Sequence, residues 1–501
     1  MQAQKPAIIA LDTGTTSMRA VVFDDSGQVR HIARRDNPPH YHADGRVEQN
    51  PESWKRCLFE LLSEAREWSE AGHMRAAALS LTSQRSSVIP LDREGRPLHD
   101  AIMWQDIRTD PLCAGMKQVE PEIYRRSGLR LTSVFSAIKM LWFKTERPDI
   151  YQKTWKMAGI QDYLIYLLTG RLITDRSLAS RTTLLDLDRR EWSNELIALY
   201  GLDAHLLCEL IDPGSVAGTL SREAAEACGL PAGLPVISAG GDQQCAALGL
   251  GLLSTDTIVV NTGTGAYAIG LSDRPVHDAR MRIYCNVSAI PSLYITEAPM
   301  LTAGVLYRWF RDQFYPPTGP HEVPFAQINR DIAESPPGAH GVILLPHFKG
   351  AAAPFWNPRA KGHFLNLDLA TTRADMARAV LEGIALELAE NVALLEETGR
   401  PARRLLVSGG LTALDEFVQI CADCFERPVE KSRDCEATAL GAWISAAVAT
   451  GLYGSFEEAY AQAVDGAETT IVAPDSGRSA VYRSLQMTRQ RLYRALADTA
   501  V

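Results

Sequence analysis

Two segments of this chain share one pattern of apolar and polar positions. Ile8, Ile9, Ala10 and Leu11 lead into Asp12-Thr13-Gly14-Thr15-Thr16, and a second apolar run follows from Met18 to Phe23. Half a chain later Ile258, Val259 and Val260 lead into Asn261-Thr262-Gly263-Thr264-Gly265, with an apolar run from Ala266 to Gly270 behind it. Short β-branched runs bounded by turn residues predict strands, so each segment reads as strand–turn–strand. Asp24-Asp25-Ser26-Gly27 predicts another turn, and with it a three-strand meander at the start of the chain. The period then changes: Trp54, Leu58, Leu61, Leu62 and Ala65 recur at helical spacing within 51–69. Further helices are expected over 137–143, 163–168, 223–228, 243–250, 373–397 and 437–449, and around Cys421. Strands are expected over 77–82, 235–241, 282–287, 293–296 and 405–408, and Pro316-Pro317-Thr318-Gly319-Pro320 is the clearest loop. Strands alternating with helices in both halves predict the α/β class.

Length supports a division that the pattern already suggests. A chain of 501 residues is too long for one core. The repeated plan restarts near Leu253, which predicts domains at 1–252 and 253–501. Apolar content of 46 % and charged content of 22 % are those of an ordinary globular protein. The net charge of −9, with no basic block, weighs against nucleic acid or an anionic membrane as partner. Nine cysteines are scattered, and the one CxxC, Cys421 and Cys424, lies on an expected helix without a second pair or a nearby histidine. Buried thiols in a reducing, cytoplasmic setting are the expectation, with neither a signal peptide nor a membrane span.

The candidate chemistry sits at the turns. A strand that turns through small hydroxyl and glycine residues gathers backbone N–H groups and hydroxyls at one spot, which suits phosphate. Only the first copy adds a carboxylate, Asp12, and phosphoryl transfer needs both a divalent metal and oriented donors. The plain alternative is a tight hairpin with satisfied hydroxyls. Gly240-Gly241-Asp242-Gln243-Gln244 lies between an expected strand and helix. Asp242, held ionised at a helix N-terminus, suits a base for an attacking hydroxyl, or is an ordinary cap. Ser408-Gly409-Gly410 ends another strand, and its glycines either support a flat nucleotide or serve close packing.

With Gly45-Arg46-Val47-Glu48-Gln49-Asn50-Pro51, the stretch 353–362 and the run 436–442, these segments resemble, in order, the signatures of the FGGY carbohydrate kinases. The resemblance runs from residue 8 to about residue 450. It implies two actin-like (ribonuclease H-like) domains with a nucleotide cleft between them, ATP and Mg²⁺ as cofactors, and a small sugar or polyol as substrate. Asp242 would be the base and Asp12 would hold the metal. Thr13, Gly14, Thr15, Thr16, Thr262, Gly263 and Thr264 would cradle phosphates, with Gly304, Arg308, Gly409, Gly410 and Leu414 near the nucleotide. Leu414 stands where relatives often have Asn or Ser. The acceptor pocket would comprise Gln84, Arg85, Ser86, Trp104, Asp106, Val134, Asp242, Gln243 and Tyr267. Glycerol kinases read Gln-Arg-Glu-Thr where this chain has Gln84-Arg85-Ser86-Ser87, and their substrate-contacting tyrosine aligns with Val134. Losing two hydroxyl-binding groups argues against glycerol. Trp104-Gln105-Asp106-Ile107-Arg108 resembles the Trp-Asn-Asp-x-Arg of xylulokinases, which favours a ketopentose such as xylulose over glycerol, erythritol, gluconate or autoinducer-2. A homodimer is the family habit. The plainer parts for this pocket are a core aromatic for Trp104 and an inter-strand ion pair for Arg85, with a similar alternative for Asp106.

Two further readings lie outside the family. Paired Asp-Thr-Gly-Thr-like turns also occur in pepsin-like proteases, but their dyad needs two carboxylates, and Asn261 fills the second place. A non-catalytic actin-like ATPase would not need Asp242 or the Trp104/Asp106 pocket.

Overall fold

The computed structural model describes residues 5–72, 74–315, 324–432, 436–466 and 469–496, and the expected 316–320 loop lies outside them. The first half builds a six-stranded sheet from β1 (Lys5–Thr13), β2 (Ser17–Phe23), β3 (Val29–Asp36), β4 (Met74–Ser83), β5 (Ser215–Thr219) and β6 (Pro235–Gly241), in the order β5-β6-β4-β1-β2-β3. The second builds a seven-stranded sheet from β7 (Thr257–Thr262), β8 (Ala266–Ser272), β9 (Tyr284–Val287), β10 (Tyr294–Met300), β11 (Arg404–Gly409), β12 (Val429–Lys431) and β13 (Thr470–Val472), in the order β9-β10-β8-β7-β11-β12-β13. The two share a pairing pattern. In each, an antiparallel meander (β3-β2-β1; β10-β8-β7) continues on its far side into two parallel strands (β4-β6; β11-β12). The duplicated sequence pattern is therefore a duplicated topology.

Helices cover the sheets. In α1 (Pro51–Ala71), Asn50 caps the N-terminus through its side chain, and Trp54, Leu58, Leu61, Leu62 and Ala65 are buried on one face. The helix expected from residue 243 begins one residue earlier, as α2 (Asp242–Gly249). α3 (Gly304–Phe314), α4 (Arg373–Thr398) and α5 (Asp415–Phe425) belong to the second half. Fully burying a large apolar side chain is worth roughly 1.5–3 kcal/mol, so the 11 apolar residues among the 17 buried positions of α4 make it the main strut of that half.

One helix crosses the boundary. α6 (Ala437–Ala449) comes from the second half, yet Ala439, Leu440, Trp443 and Ile444 share a core with Ile8, Val21, Phe23 and Ile237 of the first sheet. It also crosses α2 at very short range. A Cβ on Gly441 would lie 1.9 Å from the Cys245 carbonyl oxygen, and one on Gly249 would lie 2.0 Å from that of Ala437. Glycine is required at both contacts. Of the CxxC pair, Cys421 is buried and Cys424 half-buried, and the described cysteines are free. No described helix is long and apolar enough to cross a membrane.

Candidate active site

Strand register assembles the site. Thr13 of β1 is level with Ser83 of β4, and Ser83 with Gly241 of β6. The carboxyl ends of three parallel neighbours thus bring Asp12, Gln84-Arg85 and Asp242 together, where ligands of α/β sheets bind. The Gln84 amide donates to the Thr13 carbonyl oxygen (2.8 Å), and its side chain joins the turn through Thr15 Oγ1 and the Gly14 carbonyl. Thr13 Oγ1 and Gln243 Oε1 are buried and have no partner among the described residues, which leaves two polar atoms for a ligand.

The two carboxylates repel one another. Burial first, and then Asp242, push the Asp12 carboxyl up to about 7; Arg19 opposes, and Glu436 adds to the rise. Arg19 offers limited relief because it is paired with Glu436. Asp242 is also raised, mainly by burial, with Arg85 (Nε to Oδ1, 3.6 Å) pulling the other way. The expectation that the helix end holds Asp242 readily ionised is corrected here: desolvation outweighs the Gln243 N–H bond at 2.8 Å. A more basic carboxylate suits proton acceptance. About a quarter of the Asp242 side chain remains open to solvent (26 %).

The second half supplies an opposing surface. Thr262 of β7 is level with Gly409 of β11, which places the turn at 263–264 beside Gly410. The N-terminus of α3 docks on that turn: the Gly304 amide donates to the Gly263 carbonyl and the Val305 amide to that of Thr264. Gly263 and Thr264 stay exposed, as does Arg308 one turn along α3. Gly409 has φ 91°, and a Cβ there would meet the Thr262 carbonyl oxygen at 2.2 Å, whereas one on Gly410 would meet open space. Leu414, half-buried against the second core, offers no polar side-chain atom.

The acceptor residues divide. Trp104 is 38 % exposed and donates from Nε1 to Thr15 Oγ1 (3.2 Å), so it is not a core aromatic. Tyr267 on β8 is half-buried and feels Arg85 and Asp242. Ser86 holds a left-handed φ of 71°, a strained backbone of the kind found at functional sites. Buried Lys139 donates to the Ser86, Ser133, Val134 and Phe135 carbonyls, tying Ser86 to half-buried Val134. Asp106 is a correction. It is 1 % exposed; its oxygens accept from the Val47 amide (2.6 Å), from the Arg108 amide and Nε (both 2.9 Å) and from an Arg108 terminal nitrogen (2.8 Å). Asp106 therefore braces the Trp104 loop instead of reaching an acceptor.

Three residues that sequence reasoning missed complete the site. Glu297 on β10 is 1 % exposed and binds Arg85 at 2.7 Å and Arg181 at 3.2 Å, while Asn286 on β9 contacts both Arg181 and Glu297. The strand expected over 293–296 runs on to Met300, and Glu297 lies in that extension. A lone carboxylate inside an apolar strand was the available signal. Arg181, in a short 3₁₀ turn, gave none.

No cluster of three or more metal-ligating side chains occurs among the described residues. The Asp12/Asp242 pair still fits Mg²⁺, which takes one or two carboxylates plus phosphates and water.

The family model described as "FGGY family of carbohydrate kinases, N-terminal domain" matches residues 7–249, and that of the C-terminal domain matches 258–450. Glycerol kinase from Rhodospirillum centenum is 34 % identical over 467 residues, covering 91 % of this chain and 92 % of that protein. Among solved structures, gluconate kinase from Lactobacillus acidophilus superposes with a TM-score of 0.92 at 25 % identity, covering 99 % of each chain. Xylulose kinase from Rhodospirillum rubrum does so at 0.90 and 27 %, covering 98 % of this chain and 99 % of that one. These relatives carry three different substrate names on one two-domain α/β fold. The chain belongs to the FGGY family of carbohydrate kinases, enzymes that use ATP to phosphorylate an alcohol group.

Proposed function

We propose that this chain transfers the γ-phosphoryl group of ATP to a hydroxyl of a small sugar or polyol, with Asp242 as base. The observation that carries the reading is Asp242 itself: a carboxyl made more basic by burial, at the mouth of three parallel strands and beside Asp12. Asp242 accepts the hydroxyl proton as the acceptor oxygen forms its bond to phosphorus and the bond from phosphorus to the bridging oxygen of ADP breaks. Arg85, Trp104, Gln243 and Tyr267 orient the acceptor. Thr13, Gly14, Thr15 and Thr16 face the phosphates from 1–252; Thr262, Gly263, Thr264, Gly304, Arg308, Gly409, Gly410 and Leu414 hold the nucleotide from 253–501. Asp12 would hold Mg²⁺, which when bound neutralises phosphate charge.

Ser86 and Val134 are small where glycerol kinases carry a carboxylate and a tyrosine, so the acceptor is longer than glycerol, and a ketopentose such as xylulose is favoured. Glycerol is the second reading, favoured by the 34 % identity to glycerol kinase. Coupled ADP release over a panel of polyols, ketoses and aldonates tests the proposal. Turnover on a ketopentose is expected, and preference for glycerol selects the second reading. Silence across the panel, with ATP bound, contradicts the kinase reading.

A further inference from the structure

The site contains more buried charge than phosphoryl transfer needs. Arg85 and Arg181 are 8 % and 5 % exposed, and neither reaches a free anion. Both converge on Glu297, one on each carboxylate oxygen. Gln244 Oε1 takes a further Arg85 hydrogen at 3.1 Å, and Arg181 lies over the Phe135 ring at 4.7 Å. With Asp242 beside Arg85, the pocket wall holds two cations and two anions. Among the described residues, the titratable groups facing it from neighbouring elements offer it no unpaired cation. Tyr267 and Tyr284 are phenols raised further by burial, Lys139 is enclosed by four carbonyls, and Asp106 is paired with Arg108. Asp12 adds negative charge on the phosphate side.

We propose that Glu297 is a specificity-determining residue: by occupying both guanidinium groups it leaves the pocket electrically balanced, so the acceptor is an uncharged polyhydroxy compound and not a sugar acid. This rests on the kinase reading and names its substrate class. A carboxylate brought to this wall would be a third anion against two cations already bound. Like charges so placed cost several kcal/mol, and a buried charge without a partner is among the most expensive groups a site can hold. A neutral hydroxyl asks only for donors and acceptors, and Arg85, Gln243 and Asp242 provide them. The contact also spans the halves, since Arg85 and Arg181 precede residue 252 and Glu297 follows it.

The test uses matched pairs of one carbon skeleton: glycerol with glycerate, xylitol with xylonate, ribitol with ribonate. For the wild type, kcat/KM on the better neutral member should exceed that on its acid by about 100-fold or more, the size expected from a like-charge cost of a few kcal/mol. Glu297→Gln frees one cation, so the ratio should fall at least about tenfold while KM for ATP moves less than about threefold. Arg181→Met, which leaves Glu297 less neutralised, should suppress the acids further and keeps the test open if Glu297→Gln does not fold. Wild-type preference for an acid, or an unmoved ratio in Glu297→Gln, overturns the proposal. Should no member be turned over, turnover on a ketopentose separates a failed charge reading from a failed kinase reading. Calorimetric titration of the same pairs in the presence of a non-hydrolysable ATP analogue then reads the charge preference, and equal or tighter binding of the acids, or binding of neither member, overturns it.

Discussion

The two strand–turn–strand units show how one duplicated device takes on two tasks. Both end a strand in the same place in the same topology, and both are followed by a parallel neighbour carrying small residues. The first turn holds Asp12, crowded by Asp242 and poorly relieved by Arg19. The second holds Asn261, a neutral side chain whose Oδ1 accepts from Ser408 Oγ at 3.3 Å. One side thus stores unfavourable negative charge, and the other presents an open turn without a carboxylate, with Arg308 exposed beside it.

The largest expected effect comes from removing the stored charge. Asp12→Asn should reduce turnover roughly 100-fold or more, as loss of a metal-holding carboxylate does, yet stabilise the ligand-free protein. The Asp12 carboxyl, raised to about 7, binds its proton more tightly folded than unfolded, so ligand-free stability should decline as pH rises from about 4 to 7. At neutral pH the asparagine variant should gain about 2 kcal/mol by chemical denaturation, and its stability should no longer follow that pH course. Unchanged stability would show that burial and Asp242 do not raise the Asp12 carboxyl.

Gly409→Ala should cost about 3 kcal/mol, because alanine must hold φ 91° while its Cβ meets the Thr262 carbonyl. The urea midpoint measures this. Asn261→Asp makes the second turn resemble the first, and the added charge should raise KM for ATP roughly tenfold with little change in KM for the acceptor. Gly410→Ala should leave folding intact and change KM for ATP by no more than about threefold, since its Cβ enters open space. A large stability loss at Gly410 would mean that the two glycines do not divide packing from nucleotide access.

The duplicated frame was legible in the sequence because it rests on local signals: apolar runs, turn residues and strand ends. Asp12, Asp242 and the glycines sit at such ends, and the structure brings them together by register. Asp106 was misread because its neighbours in sequence fit a substrate loop, whereas folding brings the distant Val47 amide onto it and turns Arg108, within that loop, back against it. Glu297 and Arg181 were missed for the converse reason. Each lies in a segment with no turn signal, and their part emerges only when the second half meets the first. The raised proton affinity of Asp242 likewise depends on burial, which no local pattern reports.

The central claim is that Asp242 serves the acceptor and not the nucleotide, and Asp242→Asn tests it most directly. ATP affinity and the formation of acceptor phosphate should be measured on the same sample. ATP should bind within about threefold of the wild type while phosphoryl transfer falls by two or more orders of magnitude, the range for losing a general base. Near-normal transfer, or a loss of ATP affinity matching the loss of rate, would contradict the account.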